Sequence, residues 1–299
     1  MKTRLILTAL LVITALQLMA QNGPLTPAAF RVMIADGVKA LHISPQPVAK
    51  VTDTIVTAND IQTGIRIYRP KLSGKFPVIY FIHGAAWIAG DLDTHDNICR
   101  YLTNALQTVV VAVDYRRPPE HKFPAAFNDS YAIFKWVGSH NKLLNGNGKL
   151  AVIGDSAGGG LAAAVCLLNA SEKAPVPVLA QVLINPALDL SENSPTYRTY
   201  GMFVDWYLNA TDRKDDVRIS PLLAKDMTKT PLAIIVVGET DQIRADGETY
   251  AQRMTVAGIK TKLFIQPQTG HLATHWCAAD QVAKPAIDFV VSELKKTLY

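Results

Sequence analysis

The residue in this chain best placed to do chemistry is a serine framed by glycines. Gly154-Asp155-Ser156-Ala157-Gly158 has the form G-x-S-x-G, with apolar Val152-Ile153 before it and an Ala-rich run after Gly159-Gly160. Read as strand, sharp turn and helix, it is a nucleophile elbow, with Ser156 at an apex that projects its oxygen clear of the sheet. Gly154 and Gly158 remove side chains where strand and helix pack closely. The plainer alternative is a Gly-rich helix start capped by a serine. The rest of the chain decides between them.

A serine that attacks an acyl group needs a base, an acid to orient that base, and donors for the oxyanion. With the nucleophile on such an elbow, the chain order is serine, then Asp or Glu, then His. Of seven histidines, only His271 and His275 follow the later acids. His271 lies in the loop after the strand-like Thr261 to Ile265, at the carboxyl end where a parallel sheet presents its functional groups. His275, beside Trp276, is the structural alternative. The acid should leave the preceding strand, Leu232 to Val237. Asp241 is the first choice, with Glu239 and Asp246 as competitors. Asp246 is better placed to start the next helix. The oxyanion donors should be backbone N–H groups: that of Ala157, next after the nucleophile, and those of the loop His83-Gly84-Ala85-Ala86-Trp87. Gly84 and Ala85 are the candidates there.

The elements that must position these groups alternate. Phe76 to Ile82 and Thr108 to Val113 are nearly continuous apolar runs, as in strands covered on both faces. Asp96 to Ala105 is a helix between them. Helical and strand patterns then follow in turn: Phe123 to Val137, Lys149 to Ile153, Ser156 to Asn169, Val178 to Ile184, Leu232 to Val237, Asp246 to Ala257, Thr261 to Ile265 and Val282 to Lys296. This predicts an α/β fold with a mostly parallel central sheet and helices on both faces. Val51 to Ala58 and Ile61 to Tyr68 alternate apolar with polar residues, as half-buried antiparallel strands do. Leu25 to His42 has helical spacing. About 45 residues separate Ile184 from Leu232, too many for an ordinary connection. They carry Tyr200, Phe203, Trp206 and Tyr207, and predict an inserted helical lid. Phe203, Trp206 and Tyr207, with Trp87 and Leu272, are the candidate walls of a substrate pocket.

The chain has 299 residues, is 49% hydrophobic and carries a formal charge of +5. The charge is small and dispersed, with no basic run interleaved with aromatics, which argues against a nucleic-acid partner. Residues 1–20 read as a secretory signal: Lys2 and Arg4, then an apolar Leu5 to Leu16, then Ala20 as a cleavage point. The uncharged run, about 16 residues, falls short of the ~20 that span a bilayer. The expectation is an exported protein with no stable membrane insertion once the signal is removed. Cys99, Cys166 and Cys277 predict no disulfide and have no metal-ligand spacing, so no metal is expected.

Four stretches together resemble the hormone-sensitive-lipase-like group of α/β-hydrolase esterases. Phe81 to Trp87 is similar to the group's H-G-G-G-x oxyanion motif. Val113-Asp114-Tyr115-Arg116-Arg117-Pro118-Pro119-Glu120-His121 with Phe123-Pro124-Ala125-Ala126 is similar to D-Y-R-L-A-P-E-H-x-F-P-A-A. Gly154 to Gly159 matches G-D-S-A-G-G, and Gly238-Glu239-Thr240-Asp241 resembles the acid-bearing loop. Gly270-His271 fits the histidine loop less closely, and Ser220-Pro221-Leu222 resembles the return from the cap. The resemblance implies a small-molecule carboxylic ester as substrate, with a short or medium acyl chain, and no cofactor. It implies a two-part cap on a catalytic domain of residues 21–299, built from about 21–50 and 186–219. It makes Asp114, Arg116 and Glu120 supports for the site. Two departures stand out. The family glycines at 85 and 86 are alanines here, which strains the loop or shifts it if φ must be positive. Leu272-Ala273 replaces the usual Gly-Phe after the histidine. Those departures leave room for a catalytically inactive ligand-binding protein, and the same triad would also serve a peptidase or amidase.

Overall fold

The computed structural model describes residues 24–58 and 60–299. The expected signal, residues 1–20, lies outside the described residues. The elements run α1 (Pro27–Lys39), β1 (Lys50–Ala58), β2 (Ile61–Arg69), β3 (Phe76–Ile82), α2 (Asp96–Leu106), β4 (Val109–Asp114), α3 (Ala125–Ser139), β5 (Gly146–Asp155), α4 (Ala157–Ser171), β6 (Ala180–Ile184), α5 (Pro195–Tyr207), β7 (Leu232–Gly238), α6 (Arg244–Val256), β8 (Thr261–Gln266), α7 (Ala273–Ala278) and α8 (Lys284–Leu298). The eight strands form one sheet in the order β1-β2-β4-β3-β5-β6-β7-β8. The β1–β2 and β2–β4 pairs are antiparallel, and every later pair is parallel.

The continuous apolar runs are explained by burial on both faces. Val78, Tyr80 and Ile82 of β3 join one core with Val109, Val111 and Val113 of β4 and the inner residues of α3, α4 and α6. Ile79 and Phe81 face the other way and join Val110 and Ala112, packed against α2 and α8. Strand residues therefore alternate between two cores, while polar alternation survives only at the edge, where Ile55 of β1 is 69% exposed. Helix α4 is buried almost all round, which is why its sequence lacks a polar face.

The parallel register aligns the strand ends that carry the site. Ile82 pairs with Gly154, Asp155 with Ile184, Ile184 with Val236, and Gly238 with Gln266. The loops after β3, β5, β6, β7 and β8 thus open along one edge of the sheet. Between β6 and β7 the expected lid holds a single α-helix, α5, with turns on either side and a short 3₁₀ turn at Pro221–Leu223. Ser194 caps α5 by accepting the Tyr197 N–H at 3.0 Å. The helix kinks at Tyr200, where φ is −121°. Helix α7 has no counterpart in the sequence pattern; six residues are too few to show a period. No helix among the described residues is long and apolar enough to cross a membrane.

Candidate active site

The elbow is set by space. Ser156 sits at φ 51° and ψ −118° between β5 and α4. A non-glycine residue in such a region costs about 1–3 kcal/mol and persists only when its surroundings insist. Here the Ser156 N–H donates to the Ile184 carbonyl at 2.8 Å, and the Ser156 carbonyl accepts from Gly160 and Ala187 at 3.1 Å each. A Cβ on Gly154 would lie 2.1 Å from the Gly158 carbonyl oxygen, and one on Gly158 would lie 2.2 Å from that of Ile82. Both positions must be glycine for strand and helix to approach. The chain order read from the sequence is reproduced in space: Ser156 Oγ lies 2.9 Å from His271 Nε2, and His271 Nδ1 lies 2.9 Å from Asp241 Oδ2.

Asp241 is buried in the loop after β7. Burial pushes its carboxyl up, but the adjacent His271 and hydrogen bonds from the Ile243 N–H and the Asn185 amide outweigh that and hold it below the ordinary carboxylate range. The Ile243 N–H reaches Oδ1 at 3.1 Å. Asn185 Nδ2 donates to Oδ2, the oxygen that also faces His271. The competitors have other duties. Glu239 accepts the Gln268 N–H at 2.8 Å. Asp246 accepts from the Leu188 and Asp189 N–H groups and from the Thr196 hydroxyl, tying α6 to the segment after β6. Burial pushes the Asp246 carboxyl up to about 6 against those bonds. His275 pairs with Asp280, Nδ1 to Oδ2, at 2.6 Å. Asn185 is the member of the site that the sequence did not suggest. Its only signal was position: a polar residue directly after the apolar β6, level with the elbow.

The loop after β3 carries the departures from the family pattern, and both alanines have positive φ. Ala85 is at 73°, Ala86 at 56° and Trp87 at 62°, three successive left-handed residues. Each costs roughly 1–2 kcal/mol relative to glycine's freedom. The backbone still holds its left-handed path, so the alanines are strained rather than displaced. Among the described residues, no protein acceptor takes the N–H of Gly84, Ala85 or Ala86. The Ala157 N–H heads α4, where the first donors have no intrahelical partner. Gly84 lies against the elbow, since a Cβ there would fall 2.5 Å from the Asp155 carbonyl oxygen. Side chains from elsewhere brace the loop. The Tyr115 hydroxyl donates to the His83 carbonyl at 2.9 Å, Arg31 Nε donates to the Ile88 carbonyl at 2.9 Å, and Arg117 donates to the Gly90 carbonyl. Glu120 holds Arg31 through two contacts of 3.0 and 2.6 Å. Arg116 pairs with Asp129 and Asp114 with Arg117. The D-Y-R-R-P-P-E-H segment is structural support in this sense.

The five pocket-wall candidates separate. Phe203 and Trp206 are half-buried and meet in a T at 5.5 Å. Phe203 also packs on Phe30 of α1 at 4.5 Å. With Met33, Ile34, Ala85 and Ala86 they form a small apolar cluster apart from the two sheet cores. This is where α1 and α5 meet the loop after β3. Trp87 and Tyr207, expected as walls, instead stack on each other at 4.9 Å and belong to the main core. The left-handed φ of Trp87 turns its side chain inward, where it locks the loop to α5. Leu272 is likewise core, packed with Trp276 and α8. Tyr200, at the kink of α5, brings its ring to 5.9 Å from that of His271. Cys99, Cys166 and Cys277 are buried free thiols.

This geometry has counterparts among known proteins. A family model described as alpha/beta hydrolase fold matches residues 78–275. The chain is 38% identical to the carboxylic ester hydrolase LipN of Mycobacterium tuberculosis over 73% of its own length and 63% of that protein's. It is 35% identical to an arylesterase of Saccharolobus solfataricus, over 75% of this chain and 77% of the relative. In structure it resembles a Pyrobaculum calidifontis esterase with a TM-score of 0.85 at 28% identity, over 94% of this chain and 96% of the other. The match to LipN leaves over a third of that protein uncovered, whereas the structural match is nearly end to end. The chain belongs to the α/β-hydrolase family, in its hormone-sensitive-lipase-like esterase group.

Proposed function

We propose that this carboxylic ester hydrolase is an exported serine esterase acting on short- to medium-chain esters. The observation that carries the mechanism is the line from Ser156 Oγ through His271 to Asp241, with both contacts at 2.9 Å. Ser156 Oγ attacks the ester carbonyl as His271 Nε2 takes its proton. Asp241 holds Nδ1–H and stabilises the imidazolium. The N–H groups of Gly84, Ala85 and Ala157 receive the negative charge on the carbonyl oxygen, each worth roughly 10²–10³ in rate. The C–O bond to the alcohol breaks and His271 returns the proton to the leaving alkoxide. Water, deprotonated by His271, then attacks the acyl-enzyme, and the acid leaves as Ser156 recovers its proton. The cluster of Phe30, Phe203 and Trp206 over the oxyanion loop supports a wall suited to a short acyl chain. The basic start and short apolar run of residues 1–20 support export.

The test compares p-nitrophenyl esters from acetate to octanoate on the wild type and on Ser156→Ala. The variant should lose about 10⁴-fold or more in kcat with its melting temperature kept. Equal activity in both sinks the mechanism. A fluorophosphonate that leaves Ser156 unlabelled in the native protein would favour a ligand-binding role instead. Mass measurement of the chain recovered outside the cytoplasm should show the first 20 or so residues missing.

A further inference from the structure

Beside the elbow lies a second cluster of reactive groups that ester hydrolysis does not use. Asp155, the residue before Ser156, is 4% exposed. Among the described residues, the one side chain that pairs with its carboxylate is His95, whose Nε2 stands 3.4 Å from each oxygen. The same Nε2 is 3.1 Å from Cys277 Sγ on α7. His95 is 1% exposed and Cys277 5%. One donor atom from each residue lies within 4.8 Å of the others.

Counting protons makes the arrangement informative. The Thr94 hydroxyl donates its single proton to the Asp91 carbonyl at 3.0 Å and accepts the Asp91 N–H at 2.8 Å. It is also 3.0 Å from His95 Nδ1. With the hydroxyl proton already placed, Thr94 accepts from Nδ1–H. In the neutral ring Nε2 is then a bare lone pair, which the Cys277 thiol proton can meet, while no hydrogen-bond donor among the described residues reaches Asp155 Oδ1. A buried carboxylate left in this way requires a positive charge beside it. It is either a proton shared by the cluster or a metal ion.

We propose that His95, Asp155 and Cys277 bind a divalent cation of the zinc class, directly behind the nucleophile. Imidazole nitrogen, thiolate sulfur and carboxylate oxygen are the donors such ions take. Bonds of about 2.0–2.3 Å at tetrahedral angles separate donors by about 3.3–3.6 Å; the nitrogen–oxygen separation of 3.4 Å matches, and the nitrogen–sulfur separation of 3.1 Å has to open by about 0.4 Å on binding. Thr94 supplies the second hydrogen bond that fixes a ligating histidine's tautomer. A second imidazole is adjacent: the His83 ring centroid lies 5.5 Å from that of His95, and its buried Nε2 has no partner among the described residues. Binding displaces the Cys277 thiol proton to solvent.

The test reads the metal rather than catalysis. Co²⁺ titrated into chelator-treated full-length protein should bind one ion per chain and give a sulfur-to-cobalt charge-transfer band in the near ultraviolet. Cys277→Ala should abolish the band and weaken Co²⁺ binding by at least about 100-fold. X-ray absorption on the Zn²⁺-loaded wild type should place one sulfur at about 2.3 Å, a result that needs no variant to fold. A band that survives Cys277→Ala, a zinc shell of nitrogen and oxygen alone, or failure to retain either ion overturns the site and leaves a proton as the cation of the cluster.

Discussion

The elbow and the oxyanion loop face the same substrate and hold non-glycine residues at positive φ, yet they are held there differently. At Ser156 the constraint is backbone against backbone: two glycines without room for a Cβ and three main-chain hydrogen bonds. At Ala85 to Trp87 it is side chains from distant parts of the chain: Arg31 from α1, Tyr115 and Arg117 after β4, and Tyr207 of α5 stacked on Trp87. One region is held by main-chain atoms of the neighbouring strand ends, Ile82, Ile184 and Ala187. The other borrows its geometry from α1, α5 and the segment after β4, so its backbone is tied to elements remote in the chain.

That difference can be broken or sharpened by mutation. Gly158→Ala pushes a methyl to 2.2 Å from the Ile82 carbonyl oxygen and 2.4 Å from that of His83. It should destabilise by about 3 kcal/mol or more and remove esterase activity, as measured by denaturant unfolding and p-nitrophenyl acetate turnover. A stable, active variant would mean the elbow has slack. Arg31→Ala removes a brace of the oxyanion loop from a partly exposed position. Its pair with Glu120 is exposed enough to add little stability. Activity should fall about tenfold through kcat while unfolding shifts by less than about 1 kcal/mol. A loss confined to stability would separate the loop from α1. Ala85→Gly relieves a left-handed alanine but frees the unfolded chain, two effects of about 1 kcal/mol each with opposite sign. The net change in stability should stay below about 1 kcal/mol; a large loss would show that the alanine methyl, not its backbone, shapes the loop.

The same contrast explains what the sequence disclosed. The parallel sheet, its two covered faces and the elbow were legible because each is written in local pattern: apolar runs bounded by turns, or glycines at fixed offsets. Asp241 and His271 followed because chain order and strand ends leave few candidates. Asn185 did not, because a single polar residue after a strand has no pattern; only the fold brings its amide to the Asp241 carboxylate. Trp87 and Tyr207 were misread as pocket walls for a related reason. An aromatic near a site can line it or anchor it, and the positive φ that turns Trp87 inward is invisible in its residue type. His95 and Cys277 lie 182 positions apart, beyond any spacing rule for metal ligands.

The pairing of Phe30 with Phe203, and of Ser156 with a histidine 115 positions later, has a consequence for how the molecule comes into being. Contacts between such remote parts of a chain incur their closure entropy before they return any stability. The reacting constellation exists only after the last strand and the first helix have both docked. Turnover is therefore a stricter gauge of completed folding than secondary-structure content. A chain whose first helix stays undocked would keep its sheet and hydrolyse almost nothing.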